Sequence, residues 1–270
     1  MKRIIAIATL LSVVLAGVAV AQSYKDGVYF AQQTTYSSSG WRYQAVITVS
    51  GGKIVKAEWN GISNLGVVDK KSYAAAGKYG MAKVAKNGEW HLQAAKVEAA
   101  LVKAGSPDRI AVKADGKTDA IAGASITVKE FIDLAKVALA SKPVAKGSYK
   151  KDGWYFAEAA AFESSGWKDN VLLTVVNGRI VDVLWNGSYK DATKKSKLVE
   201  ASAGRYGMAK VAKKGEWHVQ TAAMEAALLS SQDPSKIAVK ADGKTDAVSG
   251  ASITVKGFLD LCTQALKAAK

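Results

Sequence analysis

The chain repeats itself, and that repeat constrains its fold more than any other feature. Lys25-Asp26-Gly27-Val28-Tyr29-Phe30 recurs as Lys151-Asp152-Gly153-Trp154-Tyr155-Phe156, 126 positions on. Ser38-Ser39-Gly40-Trp41 and Trp59-Asn60-Gly61 recur as Ser164-Ser165-Gly166-Trp167 and Trp185-Asn186-Gly187 at the same offset. Tyr79-Gly80-Met81 and Gly88-Glu89-Trp90-His91 recur as Tyr206-Gly207-Met208 and Gly215-Glu216-Trp217-His218, now 127 positions on. One residue was therefore inserted between Gly187 and Tyr206. Such a period is too long for a solenoid repeat and is the size of a whole domain. The 270 residues divide into a leader at 1–21, a first domain at 22–142 and a second at 143–270. The stretch 141–147 is a short linker that keeps the two near one another.

The leader has the pattern of a secretory signal peptide. Lys2 and Arg3 precede an apolar run over 4–18, and Ala19-Val20-Ala21 forms a small-x-small cleavage site before Gln22. Export to the periplasm or beyond the cell is expected. Val18 stands where a lipid-anchor signal of the Leu15-Ala16-Gly17 type needs cysteine. No later segment is apolar enough to span a membrane, so no span is expected after cleavage.

Composition removes several classes of function. Hydrophobic residues make up 49% and prolines number three, which excludes a disordered or fibrous chain. One cysteine and two histidines leave no disulfide framework, no multi-cysteine metal site and no Cys-x-x-Cys-His haem attachment. No metal is expected. Cys262 aligns with Ala135 and reads as a small apolar core position. The net charge of +15 falls to +13 without the leader. That charge suits phosphate ligands, anionic lipid surfaces or polyanions, and it serves solubility equally well. An exported chain without a recognised nucleic-acid motif is not expected to bind nucleic acid.

Within each copy, strands come first and helices after. The stretches 29–36 and 43–50 are rich in β-branched and aromatic residues, and Gly51-Gly52 or Asn177-Gly178 turns the chain into a hairpin. Helical spacing follows over 72–86, over 90–103 with Leu92, Ala95, Val97, Ala99 and Leu101 or Val102 on one side, and over 128–140. The last has Phe131, Leu134, Ala135 and Ala138 on one face. The expected class is α+β: two tandem homologous domains, each an antiparallel sheet packed with helices.

The strongest internal match spans 113–129 and 240–256, which differ only at Val248 and Ser249. Gly123-Ala124 and Gly250-Ala251 allow close approach to the backbone. Thr127 with Glu130 fits a helix N-cap and capping box, and Thr254 fits a cap alone. Free amides and the helix dipole at that point make a phosphate site, with the Ser125 or Ser252 hydroxyl beside it. The plain alternative is a tight capped loop and nothing more.

The stretches 119–127 and 246–254 resemble the covalent flavinylation motif of the FMN-binding domain family, an Asp, two variable residues, Ser or Thr, then Gly-Ala-Thr. The opening Lys-Asp-Gly-x-Tyr-Phe-Ala, the Ser-Ser-Gly-Trp and the hairpin resemble the secreted flavoproteins of extracellular electron transfer in particular. The resemblance covers nearly all of both domains. It implies that a separate flavin transferase attaches FMN through its phosphate to Ser125 and Ser252. It assigns the motif aspartate to Asp119 and Asp246, and places Ile126 and Ile253 inside the motif. Serine replaces the usual threonine as acceptor, and Ala122 departs from the pattern that Ser249 keeps. Thr127 and Thr254 are fallback acceptors.

A flavin ring needs aromatic or methionine contacts with a few polar groups. Tyr79, Met81, Tyr206, Met208, Trp59 and Trp185 are the candidates, with Trp41, Trp167, Trp90 and Trp217 behind them. Core packing is the ordinary alternative for each. His91 and His218 suit a cap or surface role rather than metal ligation. The sequence thus predicts an exported electron-transfer flavoprotein with one FMN per domain. Its partners would be a membrane electron donor and a soluble or extracellular acceptor. No acid–base pocket of a substrate-transforming enzyme is visible. The competing expectation is a non-redox secreted module that binds a phosphate-bearing or polyanionic ligand.

Overall fold

A computed structural model describes residues 23–270. The leader expected at 1–21 lies outside the described residues. Each half opens as an antiparallel meander. In the first, β1 (Gly27–Gln32) pairs with β2 (Trp41–Ser50), which pairs with β3 (Lys53–Ser63). Three helices follow: α1 (Lys70–Ala75), α2 (Trp90–Ala104) and α3 (Lys129–Ala140). The second half repeats this as β4 (Gly153–Glu158), β5 (Trp167–Val176), β6 (Arg179–Tyr189), α4 (Lys197–Ser202), α5 (Trp217–Ser231) and α6 (Lys256–Leu266). The α+β class and the pair of similar halves are as the sequence predicts. At the second hairpin Asn177 and Gly178 have φ of 51° and 71°. A two-residue turn with both centres left-handed matches the twist of its strands, which is why an Asn-Gly pair stands there.

The alternation of the strands decides the layers. Ala45, Ile47 and Val49 on β2 are buried against the helices, as are Val171, Leu173 and Val175 on β5. Trp59 of β3 stacks on Phe131 of α3 at 5.2 Å, and Trp185 on Phe258 at 4.6 Å. Each such pair is worth about 0.5–1.5 kcal/mol beyond the area it buries. Cys262 is fully buried in the second core, where burial pushes its thiol far up, as suits a packing residue.

Three expectations about the helices need correction. The helix over 72–86 stops at Ala75, because Gly77 and Gly80 adopt left-handed φ of 70° and 76°. Residues 81–83 then form one short 3₁₀ turn. On α2 the buried stripe runs Trp90, Gln93, Ala94, Val97 and Leu101, while Leu92, Ala95 and Ala99 face solvent. Counting i, i+3/i+4, i+7 and i+11 from Trp90 yields the observed stripe. The Thr127 cap and its capping box do not form. Val128 is the N-cap residue, and the Gly116 carbonyl accepts the N–H groups of Val128 and Lys129 at 2.7 and 3.1 Å. Gly243 does the same for Val255 and Lys256, so Thr254 is not a cap either. These amides are satisfied inside the protein rather than open to an anion.

The sheet faces turned away from the helices meet each other, giving layers in the order helices, sheet, sheet, helices. Ile62, Leu172 and Leu184 form a small apolar cluster there. Beside it Arg42 donates to both Asp182 oxygens at 3.0 and 3.1 Å, and Gln44 Nε2 donates to the same carboxylate at 3.0 Å. Trp154 Nε1 donates to Gln44 Oε1 at 2.6 Å. Asn170 and Asn186 donate to the carbonyls of Gly66 and Asn64 at 3.1 and 2.9 Å. The linker joins both halves: Val144 N donates to the Val28 carbonyl, and Asn177 Nδ2 to the Val144 carbonyl, both at 2.7 Å.

Candidate functional site

The two serines sit in loops held from behind by one buried glutamine each. Gln93 of α2 accepts from Ser125 N at 2.8 Å and Ser125 Oγ at 3.1 Å. Gln220 of α5 accepts from Ser252 N and Oγ at 2.8 and 3.0 Å. The opposite end of each amide holds the turn before its helix. Gln93 Nε2 donates to the Gly88 carbonyl at 3.0 Å, and Gln220 Nε2 to the Gly215 carbonyl at 3.1 Å and Met208 Sδ at 3.5 Å. Both glutamines are fully buried while both serines are exposed. The loops bend at Gly123 and Gly250, whose φ of 77° and 97° only glycine adopts at low cost. Each serine is thus exposed on a fixed backbone, with its hydroxyl bonded to the glutamine behind it. Gln93 and Gln220 are absent from the sequence reasoning. A polar residue three positions after Trp90 and Trp217, on an otherwise apolar helical stripe, is the signal that could have found them.

Glu89 and Glu216 fix the Tyr-Gly-Met segments. Glu89 accepts from Met81 N at 3.0 Å, Ala82 N at 3.3 Å and Trp90 N at 3.1 Å, and Glu216 makes the same three bonds from Met208, Ala209 and Trp217. Burial opposes the charge of each carboxylate, but the backbone N–H groups outweigh it and hold both below the usual range.

In the second half these segments enclose a cavity of about 420 Å³. Its walls include Tyr206, Met208 and Trp217 on one side, Ser252 and Ile253 on the other, and Lys197 and Lys244. Trp185, 2% exposed, borders it from the core and donates its Nε1 to Asp169 at 3.0 Å. Val211, 87% exposed, stands at the rim. Lys197 Nζ bonds Asp169 Oδ1 at 2.9 Å and lies 4.7 Å from the Trp217 ring centre. The lining therefore combines aromatic side chains, a thioether, two lysines, the carboxylates of Glu163 and Asp169 and an exposed serine.

The first half places the matching residues differently. Tyr43 stands where the second half has Asp169. Lys70 is fully buried, and its Nζ donates to the hydroxyls of Tyr43 at 2.8 Å and Tyr79 at 3.2 Å. The same nitrogen lies 4.4–5.0 Å from the ring centres of Tyr79, Tyr43, Trp90 and Trp41. Cation–π contacts of this kind contribute about 0.5–2 kcal/mol each, less in sum than the cost of burying a lone ammonium. Burial wins and brings the amine down to about 7, with Glu130 opposing. Trp59 Nε1, whose counterpart bonds Asp169, has no partner among the described residues.

The remaining candidates scatter. Asp119 and Asp246 are exposed and pair with Lys113 and Lys240, each at 2.9 Å. Ser249 is exposed, and so are Thr127 and Thr254, the latter at the cavity edge. Ala124 and Ile126 belong to the first core, whereas Ala251 and Ile253 pack against the second from its margin. Trp59 and Trp185 are 1% and 2% exposed and pack alike, against Trp90 and Phe131 in the first core and Trp217 and Phe258 in the second. A larger cavity of about 720 Å³ lies along the linker near Tyr24 and Pro143, but no Tyr-Gly-Met or Gly-Ala-Ser segment walls it. Among the described residues no His, Cys, Asp and Glu group could hold a metal ion. No helix among them is long and apolar enough to cross a membrane.

No family model matches the chain, and no curated protein does. Two solved structures are similar to it. A solution NMR structure of a Clostridium thermocellum protein is 46% identical over 45% of this chain and 93% of its own, with a TM-score of 0.36. A crystal structure of a Clostridium perfringens protein is 25% identical over 44% of this chain and 88% of its own, also with a TM-score of 0.36.

Proposed function

We propose that the chain is an exported electron-transfer flavoprotein whose FMN groups are attached at Ser125 and Ser252. One observation carries the reading. An exposed serine hydroxyl, fixed by a buried glutamine, stands at the edge of a cavity walled by Tyr206, Met208 and Trp217. That donor set fits a flat, mainly apolar ring with an anionic phosphate arm: aromatic side chains and a thioether for the ring, and Lys244 for charge.

Attachment needs a transferase and an FMN donor activated as a pyrophosphate. The serine Oγ–P bond forms, the pyrophosphate P–O bond breaks, a nucleoside monophosphate leaves, and the hydroxyl proton goes to solvent. Gln93 and Gln220 each accept the serine hydroxyl's hydrogen bond and fix the oxygen without acting as bases. Once bound, the flavin supplies reversible electron transfer. The protein's part is to position the ring and exclude water from one face. A membrane donor and a soluble or extracellular acceptor complete the proposed path.

The test is the intact mass of the mature chain co-produced with a flavin transferase. A gain of flavin phosphoester that disappears in the S125A/S252A variant is the expected result. An unmodified chain overturns the reading and favours a non-redox module for a phosphate-bearing ligand.

A further inference from the structure

A surface feature outside the serine loops recurs in both halves. After each Tyr-Gly-Met segment the chain forms a crest with a valine at its apex. Val84 is 88% and Val211 87% exposed, the highest values for large hydrophobic side chains among the described residues. Each crest is a closed turn: Val84 N and Ala85 N donate to the Met81 carbonyl at 3.0 and 2.9 Å, as Val211 N and Ala212 N do to that of Met208. Leu92 and Val219, each 51% exposed, lie near Gly88 and Gly215 at the foot of the crest. The charge around each apex has one sign. Residues 70–88 contain no Asp or Glu, and neither do residues 203–215. Lys83 and Lys86 flank Val84, and Lys210, Lys213 and Lys214 flank Val211. All five are exposed, and none forms an ion pair among the described residues. Glu163 shares the cavity lining with Val211, and so does the exposed Lys244.

We propose that the crests dock on an anionic lipid surface, with Val84 and Val211 below the headgroups and the flanking lysines at the phosphates. An apolar tip set between cations suits such a surface. The aliphatic stems of the lysines follow the valine inward while their ammonium groups stay at the phosphates. The Val and Ala amides at each apex are already bonded within the turn, so entry strips them of no water. A protein partner would need a contiguous apolar patch at the centre of the contact. Each crest offers one valine with a half-exposed Leu92 or Val219 behind it, and a lipid surface requires no matching shape. The contact goes beyond the flavin reading and does not depend on it. Val211 lines the cavity beside Ser252, so docking brings that rim to the lipid.

The experiment mixes the full mature chain, starting at Gln22, with vesicles at about 0.1 M salt. One set holds phosphatidylglycerol and phosphatidylcholine in equal parts, the other phosphatidylcholine alone, and cosedimentation measures the bound fraction. Binding to the anionic vesicles alone, weakening as salt rises, is expected. V84D/V211D should weaken that binding by about tenfold or more. V55D/V137D places the same charges at valines 50% and 60% exposed on β3 and α3, and should change it little. V84W/V211W should tighten binding several-fold, a gain that misfolding cannot produce. Equal weakening by the two aspartate pairs shows that net charge alone acts and overturns the proposal. So does a chain that ignores anionic vesicles, which leaves an acidic protein surface as the partner of the crests. Either result is read without flavin and leaves the flavin reading standing.

Discussion

Lys70 and Lys197 occupy the same place in two copies of one domain, each over the equivalent tryptophan ring, and differ in their polar partners. Lys197 has a carboxylate partner; Lys70 has two tyrosine hydroxyls. The residue responsible is 27 positions away from Lys70 on β2, where Tyr43 stands for Asp169. A duplication preserves the backbone and the core, so function can change through one polar contact. The same contrast recurs on the other sheet face. Arg42 bonds the buried Asp182 across the two halves, whereas its counterpart Lys168 pairs with Glu158 at 3.0 Å near the surface.

The largest expected effect breaks that second contrast. Arg42→Ala leaves Asp182 buried without its cation and should cost about 3–5 kcal/mol in urea unfolding. Lys168→Ala should cost less than about 1 kcal/mol. Equal losses would mean that the face-to-face packing of the sheets contributes little.

The lysine pair comes next, with effects of opposite sign. Lys197→Met leaves Asp169 the Trp185 N–H but no cation and should destabilise by about 3 kcal/mol. Lys70→Met removes an amine whose charge is poorly compensated and should stabilise by about 1–3 kcal/mol at pH 6. The pH dependence follows from the depressed amine. Below pH 7 both folded and unfolded chains hold the proton, and the burial cost is felt in full. As pH rises from about 7 toward the usual lysine range, the unfolded chain binds the extra proton, so stability increases. Lys70→Met should remove that rise. A variant that keeps it shows that another group titrates there.

The smallest structural effect belongs to the motif aspartates. Asp119→Ala and Asp246→Ala each break an exposed ion pair and should change stability by less than about 0.5 kcal/mol. Under the flavin reading they nonetheless reduce flavin incorporation, which intact mass measures at unchanged melting temperature.

Much of the fold was legible because its signals are local. Strand alternation, the Gly51-Gly52 and Asn177-Gly178 turns and the apolar face of α3 are periodic or dipeptide features. The missed elements are those in which a distant group decides. The Thr127 cap failed because Gly116, eleven positions earlier in the chain, supplies its carbonyl to the helix start. Gln93 and Gln220 went unnoticed because their partners lie 32 residues on.

By itself the sequence determined the duplication, the strand-then-helix order of each half and the position of each serine before its last helix. These follow from repeats and from side-chain spacing along one segment. Only the tertiary structure decided that the sheets pack face to face, that a glutamine braces each serine loop, and that Lys197 meets a carboxylate where Lys70 meets two tyrosine hydroxyls. Those outcomes depend on which groups meet across elements. A buried charge settles wherever packing offers it a partner.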